Sequence, residues 1–226
     1  MNPNGIIDLH THTTFSDGTL PLVEHLHHAE KRGYSYIGVT DHVDGQNIEE
    51  IVRKTIEGCR EFNRNSQGLI ALPGAEITHV APLEIAPLVK RARELGAILV
   101  VVHGETLMEV QEPGINHEAI NARVDFLGHP GILDEEDAKL AAEYGVLLEI
   151  SGRAVHSLGN GRTVAFAKKY GANLIINSDA HSPKDFYSQA RYDGIALGAG
   201  LSRKELEALK VKTLAFVQEK LKGFRS

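Results

Sequence analysis

Arg91-Ala92-Arg93-Glu94-Leu95-Gly96-Ala97-Ile98-Leu99-Val100-Val101-Val102-His103 reads as one structural repeat. A helix end runs into a glycine suited to the left-handed position beyond it, then into an apolar strand that stops at a histidine. A continuous apolar strand after a helix suits a parallel sheet covered by helices on its faces. The same order recurs. His28–Gly33 precedes Tyr36-Ile37-Gly38-Val39, Leu140–Gly145 precedes Val146-Leu147-Leu148, and Ala167–Gly171 precedes Leu174-Ile175-Ile176. Further strands are expected at Ile6–Leu9, Leu69–Leu72 and Val124–Leu127. Ser202–Lys222 reads as a closing amphipathic helix, with Leu206, Leu209, Leu214, Phe216 and Val217 roughly on one side. About seven βα units in 226 residues suit a barrel or an open doubly wound sheet.

Both architectures put chemistry beyond the C-terminal ends of the strands. The first strand is followed by His10 and His12, which face the same side because strand side chains alternate. The second is followed by Asp41 and His42. Glu76, His103 and His129 follow the next three, Glu149 follows Leu147-Leu148, and Asp179 and His181 follow Ile175-Ile176. Every strand thus ends in a potential metal ligand, in a chain with only 12 histidines. An open sheet would gather ligands at one crevice. Ligands from every strand require a ring, which favours the barrel.

The bulk properties narrow the class. The length suits a single domain, residues 1–226, with a substantial core. No apolar run approaches the ~18 residues of a membrane span, and Met1-Asn2-Pro3-Asn4-Gly5 shows no signal pattern. Cys59 is the only cysteine, so no intrachain disulfide can form, and a cytoplasmic location is expected. The net charge of −6, without a Lys/Arg run, disfavours nucleic acid as a partner held by general surface charge, although a local positive site is compatible with it. Oligomeric state is not legible, because no coiled-coil pattern is present.

Asp8-Leu9-His10-Thr11-His12-Thr13, Ser16-Asp17-Gly18, Thr40-Asp41-His42, Gly74-Ala75-Glu76, Val102-His103, Gly128-His129-Pro130-Gly131 and Ser178-Asp179-Ala180-His181 together resemble the motif set of the polymerase-and-histidinol-phosphatase (PHP) superfamily, in order and approximate spacing, from Ile6 to Ser182. The resemblance implies a distorted TIM-like (β/α)7 barrel with two or three divalent ions (Zn, Mn or Fe) at the strand C-termini. It implies one ion held by His10, His12, Glu76 and Asp179, and a second by Glu76, His103 and His129. A third would be held by His42 and His181 with Asp17. Glu76 would bridge the first two, as a two-oxygen carboxylate can. Asp17 would bind directly or through water. Either Asp41 or His42 could be a ligand by position; the resemblance selects His42 and leaves Asp41 to orient a histidine.

This set points to a metal-dependent phosphoesterase, a phosphatase acting on a small phosphorylated metabolite of the histidinol-phosphate kind. Three divalent ions, three carboxylates and a bridging hydroxide leave about +2, which suits a phosphate dianion. Bound water would have its pKa lowered to roughly 7, and the hydroxide would attack phosphorus in line. Glu76 would be essential to this chemistry. Arg153 and His156 are candidates to hold a phosphate oxygen or protonate the leaving group. The alternatives are a PHP-type nuclease or nucleotidase, an amidohydrolase-like enzyme, and a non-catalytic metal-binding domain. The low aromatic content (6%, no Trp) weakens the nuclease reading.

Other polar residues have structural readings. His25, His27 and His28 are expected on the surface or partly buried on a helix, and His79 in a loop. His117 belongs to a lid-like segment, Glu149 is expected to pair with a neighbouring strand, Arg162 to start a helix, and Cys59 to be inert.

Overall fold

A computed structural model of the chain describes residues 5–222 and Phe224; the stretch Met1–Asn4, read above for a signal pattern, lies outside these. The chain folds as a nearly closed parallel barrel wrapped by helices. The elements run β1 (Ile6–Asp8), α1 (Leu22–Lys31), β2 (Tyr34–Val39), β3 (His42–Val43), α2 (Ile48–Asn65), β4 (Ile70–Ile77), α3 (Pro82–Leu95) and β5 (Leu99–His103). They continue with α4 (Ile115–Asn121), β6 (Phe126–Gly128), α5 (Glu135–Tyr144), β7 (Leu147–Ser151), α6 (Asn160–Tyr170), β8 (Leu174–Asn177), α7 (Gln189–Gly198) and α8 (Arg203–Lys222). The strand order is β1-β2-β4-β5-β6-β7-β8, all parallel, so seven strands form the wall as the repeats imply.

The two-residue strand β3 continues the path of β2 after a break at Thr40-Asp41. The first half of β4 pairs with β2 and its end pairs with β3. Pro73 marks this changeover, where a strand interior can do without one amide donor. That proline and Gly74 are why the strand reads from sequence as ending at Leu72, whereas it continues to Ile77.

Alternation sorts the wall into two faces. Leu99 and Val101 of β5, Leu72 of β4, Phe126 of β6, Leu147 of β7 and Ile175 of β8 pack together with Leu9 and Tyr36. Val217 and Leu221 of α8 belong to the same cluster, so α8 plugs the end of the barrel away from the site. The opposite parity, Ala75, Ile77, Val100, Val102 and Leu148, packs against the helical layer. Continuing the inner parity toward the strand C-termini replaces hydrocarbon with polar groups: Glu76 after Leu72, His103 after Val101, Glu149 after Leu147 and Asn177 after Ile175. A single interior thus changes from apolar to ligand-bearing along its axis.

The seam between β1 and β8 has no continuous ladder. Side chains and one bridge close it. Asn177 Oδ1 accepts from Leu9 N (2.8 Å), Asp8 Oδ1 accepts from Ser178 N (3.0 Å), and Ala180 O accepts from His12 N (2.9 Å). Burial pushes the Asp8 carboxyl up to about 7, against the opposing effect of the Ser178 and His10 contacts.

Candidate metal centre

The expected ligands converge on one point. His10 Nε2 lies 3.2 Å from Glu76 Oε1, His12 Nε2 3.2 Å from Asp179 Oδ1 and 3.6 Å from Glu76 Oε2, and His129 Nε2 3.4 Å from Glu76 Oε1. These are not hydrogen-bond lengths with hydrogen-bond geometry. His10 Nε2, His12 Nε2 and both Glu76 oxygens are buried and lack any hydrogen-bond partner. Two donors bound tetrahedrally at about 2.1 Å to one ion sit about 3.4 Å apart, which is the spacing found. Uncompensated buried polar atoms on this scale are costly; divalent ions between them remove the cost. The residues present therefore suit a polynuclear metal centre.

Besides His10, His129 and Glu149, which are joined by hydrogen bonds of Glu149, three groups of donors lie together. His10, His12 and Asp179 form one. His103, His129 and His156 form a second, in which His156 stacks on His129 with ring centroids 4.2 Å apart. His12, Asp17, His42 and His181 form a third, with Asp17 Oδ1 3.2 Å from His181 Nε2 and 3.5 Å from His42 Nε2. Glu76 stands centrally. Its Oε1 faces His10 and His129, and its Oε2 faces His12 and His42. Burial opposes its ionisation, but the surrounding histidines, His10 first, hold its pKa well below the ordinary carboxylate value.

The strands alone do not set these positions. His129 (φ 25°), the residue after β6, and Asp179 (φ 53°), two residues after β8, both occupy left-handed backbone. Such residues are strained unless their surroundings enforce them, and strain of this kind gathers at functional sites. Gly128 leaves the room that is needed. A Cβ there would come within 3.2 Å of the His10 ring and 3.3 Å of Glu76 Oε1.

Further hydrogen bonds hold the histidines around the centre. Glu149 Oε1 accepts from His10 Nδ1 (2.8 Å), and its Oε2 accepts from His129 N (2.8 Å). Thr78 Oγ1 donates to Glu76 O, so it accepts from His42 Nδ1 at 2.8 Å. His103 Nδ1 lies 3.2 Å from Gly104 O and 3.3 Å from Gln111 Nε2. The His10 bond leaves its Nε2 as the lone-pair nitrogen turned inward, whereas His42 Nδ1 also lies 2.8 Å from Glu76 Oε2. Glu149 thus pairs with a histidine from β1's end rather than forming an ordinary inter-strand salt bridge.

Asp41 does not orient a histidine. Its carboxylate accepts from Thr13 N, Thr13 Oγ1, Ser16 N and Ser16 Oγ, and so shapes the loop that carries Asp17. His25 is also placed differently from expectation. It is buried, and its Nε2 donates to Thr11 Oγ1 (2.9 Å), whose own proton goes to Gly38 O. His27 is exposed and His28 half-buried.

A cleft of about 560 Å³ opens over the donors, lined among others by Asp17, His79, Glu109, Val110, Arg153 and His156. Arg153 Nη1 donates to Asp179 O (3.2 Å) and lies 2.5 Å from His181 Nδ1. Burial and the neighbouring His129 hold His156 down to about 3, so at neutral pH it offers a lone pair rather than a proton. Glu109, absent from the residues expected at the site, reaches in from the loop after β5, with Oε2 3.2 Å from His103 Nε2. His117 does not line the cleft; its Nδ1 meets Asp137 Oδ1 at 2.8 Å, tying α4 to α5. Arg162 is engaged with Leu133 O (2.6 Å), and Cys59 is buried with its thiol pKa raised by burial. Among the described residues no helix is long and apolar enough to cross a membrane.

Comparisons with known proteins agree with this arrangement. A PHP domain matches residues 8–127. An uncharacterized protein of Methanocaldococcus jannaschii is 39% identical over 201 residues, covering 88% of this chain and 92% of that protein. A probable phosphatase of Clostridium novyi is 27% identical over 203 residues, 78% of this chain and 79% of that one. Among solved structures, histidinol phosphate phosphatase from Lactococcus lactis, complexed with zinc, L-histidinol and phosphate, superposes with a TM-score of 0.61 at 17% identity. That match covers 87% of this chain and 94% of the other, and it speaks to the fold. With the domain match spanning more than half of its length and a relative this similar over most of it, the chain belongs to the PHP-domain family.

Proposed function

We propose that this protein is a metal-dependent phosphoesterase, acting as a phosphatase on a small phosphorylated metabolite. The observation that carries the reading is the pairing of a buried polynuclear donor set, centred on Glu76, with Arg153 in a cleft sized for a small molecule. Bound divalent ions, with Zn, Mn and Fe all suited to the mixed His/carboxylate donors, would supply a water of lowered pKa and neutralise charge on the phosphoryl oxygens.

The chain's own residues divide the remaining work. Glu76 holds the centre together through both oxygens. Glu149 holds His10 and His129 in place. Arg153, already oriented by the Asp179 carbonyl, presents a guanidinium that can donate two parallel hydrogen bonds to a phosphate. The neutral state of His156 suits it to hold a metal ion beside His103 and His129, not to protonate a leaving group. The C. novyi relative is a probable phosphatase and the similar L. lactis structure is a histidinol phosphate phosphatase, which supports the same chemistry here.

The test is phosphate release from p-nitrophenyl phosphate, histidinol phosphate, sugar phosphates and nucleotides by protein of measured Mn²⁺ or Zn²⁺ content, beside a labelled oligonucleotide. Turnover of the monoesters is expected. Laddered cleavage of the oligonucleotide without monoester turnover would replace this reading with the nuclease one. Hydrolysis of amides or lactones alone would point to amidohydrolase chemistry.

A further inference from the structure

The loop joining β5 to α4 (residues 104–114) is tied down at both ends. Thr106 Oγ1 lies 2.6 Å from His156 Nδ1, and Glu105 Oε1 accepts from Gly114 N (2.9 Å) and Asn116 N (3.1 Å). Its tip is different. Leu107, Met108 and Val110 stand in solvent, Val110 completely, although burying them would be favourable. Between them Glu109 turns inward, its Oε2 3.2 Å from His103 Nε2 and its Oε1 3.5 Å from His156 Nε2. Gln111 also reaches His103, at 3.3 Å from Nδ1. No apolar packing draws Glu109 into the cleft.

The nitrogens place Glu109 at the mouth of the donor group. His103 Nδ1 is turned toward Gly104 O and Gln111 Nε2, so its Nε2 faces the Glu109 carboxylate. An imidazole nitrogen and a carboxylate oxygen at this distance have the spacing of two ligands on one ion. Glu109 thus brings an anionic group to the open, cleft side of the His103/His129/His156 group. That side is also the one from which a phosphate must approach, because Arg153 and His156 line the same cleft.

We infer that Glu109 is a displaceable ligand: its carboxylate holds the anion position of the metal centre when no substrate is present, and a phosphate group binds by taking its place and freeing the loop tip. This rests on the phosphoesterase reading. It adds a self-capping state to it, in which measured affinity for any phosphate is lowered by the fraction of molecules whose loop is closed.

The test uses Mn²⁺-loaded protein and inorganic phosphate as the probe, titrated calorimetrically into wild type and Glu109→Gln, with metal content measured in both. Phosphate is expected to bind Glu109→Gln about tenfold more tightly, the gain for a loop closed about nine-tenths of the time, at unchanged metal content. A second readout uses the absence of tryptophan from the chain. Val110→Trp places one fluorophore on the loop tip, and its emission should change on adding phosphate. The change should disappear in Val110→Trp/Glu109→Gln, where the tip is already released. Equal or weaker phosphate binding by Glu109→Gln would overturn the inference, and so would loss of an ion from that variant, which would make Glu109 a permanent ligand. If phosphate binds neither protein, the phosphoesterase reading falls with it; if it binds both equally, only the displaceable ligand does.

Discussion

Glu149 Oε1 meets His10 Nδ1 at 2.8 Å across 139 residues of chain, both side chains fully buried. The same carboxylate accepts from Asn177 Nδ2 and from His129 N, so one side chain links the ends of β1, β6, β7 and β8. Burial opposes its ionisation, but His10 keeps its pKa below the ordinary value, and a charged Glu149 makes His10 Nε2 a stronger metal donor.

Replacing Glu149 should therefore act on metal retention before it acts on folding. Glu149→Gln puts an NH2 group against either the His129 amide or the His10 ring nitrogen, both donors. We expect metal affinity to fall roughly 10- to 100-fold, read as faster loss to a chelator with unchanged far-UV circular dichroism. Unchanged retention would mean that His10 is oriented without Glu149.

Glu76 makes a different prediction because each of its oxygens serves different histidines. Glu76→Ala should cost more than one ion per chain by elemental analysis, and turnover should fall to background. In wild type, metal at a thousandfold excess over Kd stabilises the fold by about 4 kcal/mol, so a chelator should lower Tm. Little of that chelator effect should survive in Glu76→Ala. Full metal occupancy in this variant would remove the bridge from the site description.

Much of this was legible in the sequence, for a physical reason. A parallel barrel repeats one pattern, and strand alternation sends each inner polar residue to the same rim, so His103 after Val101 and Glu76 after Leu72 announce themselves. Glu149 shares that parity, but its partner lies in a distant part of the chain, and no local pattern names it. Glu109 sits on an irregular loop without periodicity. The burial of His25 was available: with Leu22, Leu26 and Ala29 it occupies one helical face of α1.

Arg153 should affect substrate binding more than metal retention. Its guanidinium is held by the Asp179 carbonyl and faces the cleft half-buried. Arg153→Lys keeps the charge and loses the paired donors, so KM for a phosphate monoester is expected to rise about tenfold, and further in Arg153→Ala. Metal content should be unchanged in both. An unaltered KM in Arg153→Ala would take Arg153 out of phosphate recognition.

His25 predicts part of the acid limb of stability. Burial, with the positive influence of His28 and His181 added to it, holds its pKa down to about 3 against 6.5 for a free side chain. The unfolded chain therefore binds a proton at His25 that the folded chain refuses, and this begins as pH falls through 6.5. Stability from this source is complete above that value and is lost between 6.5 and about 3, reaching about 2 kcal/mol by pH 5. His25→Gln removes the titration and keeps an amide donor for Thr11 Oγ1. It should lower stability at pH 7.5, where the fitted imidazole is lost, yet the gap to wild type should narrow by about 2 kcal/mol at pH 5 in urea melts. Both proteins carry the same metal-site histidines, so acid release of metal cancels in the comparison. A gap that stays constant from pH 7.5 to 5 would show that His25 accepts its proton inside the folded protein, at Nδ1 and with the Nε2–Thr11 hydrogen bond kept.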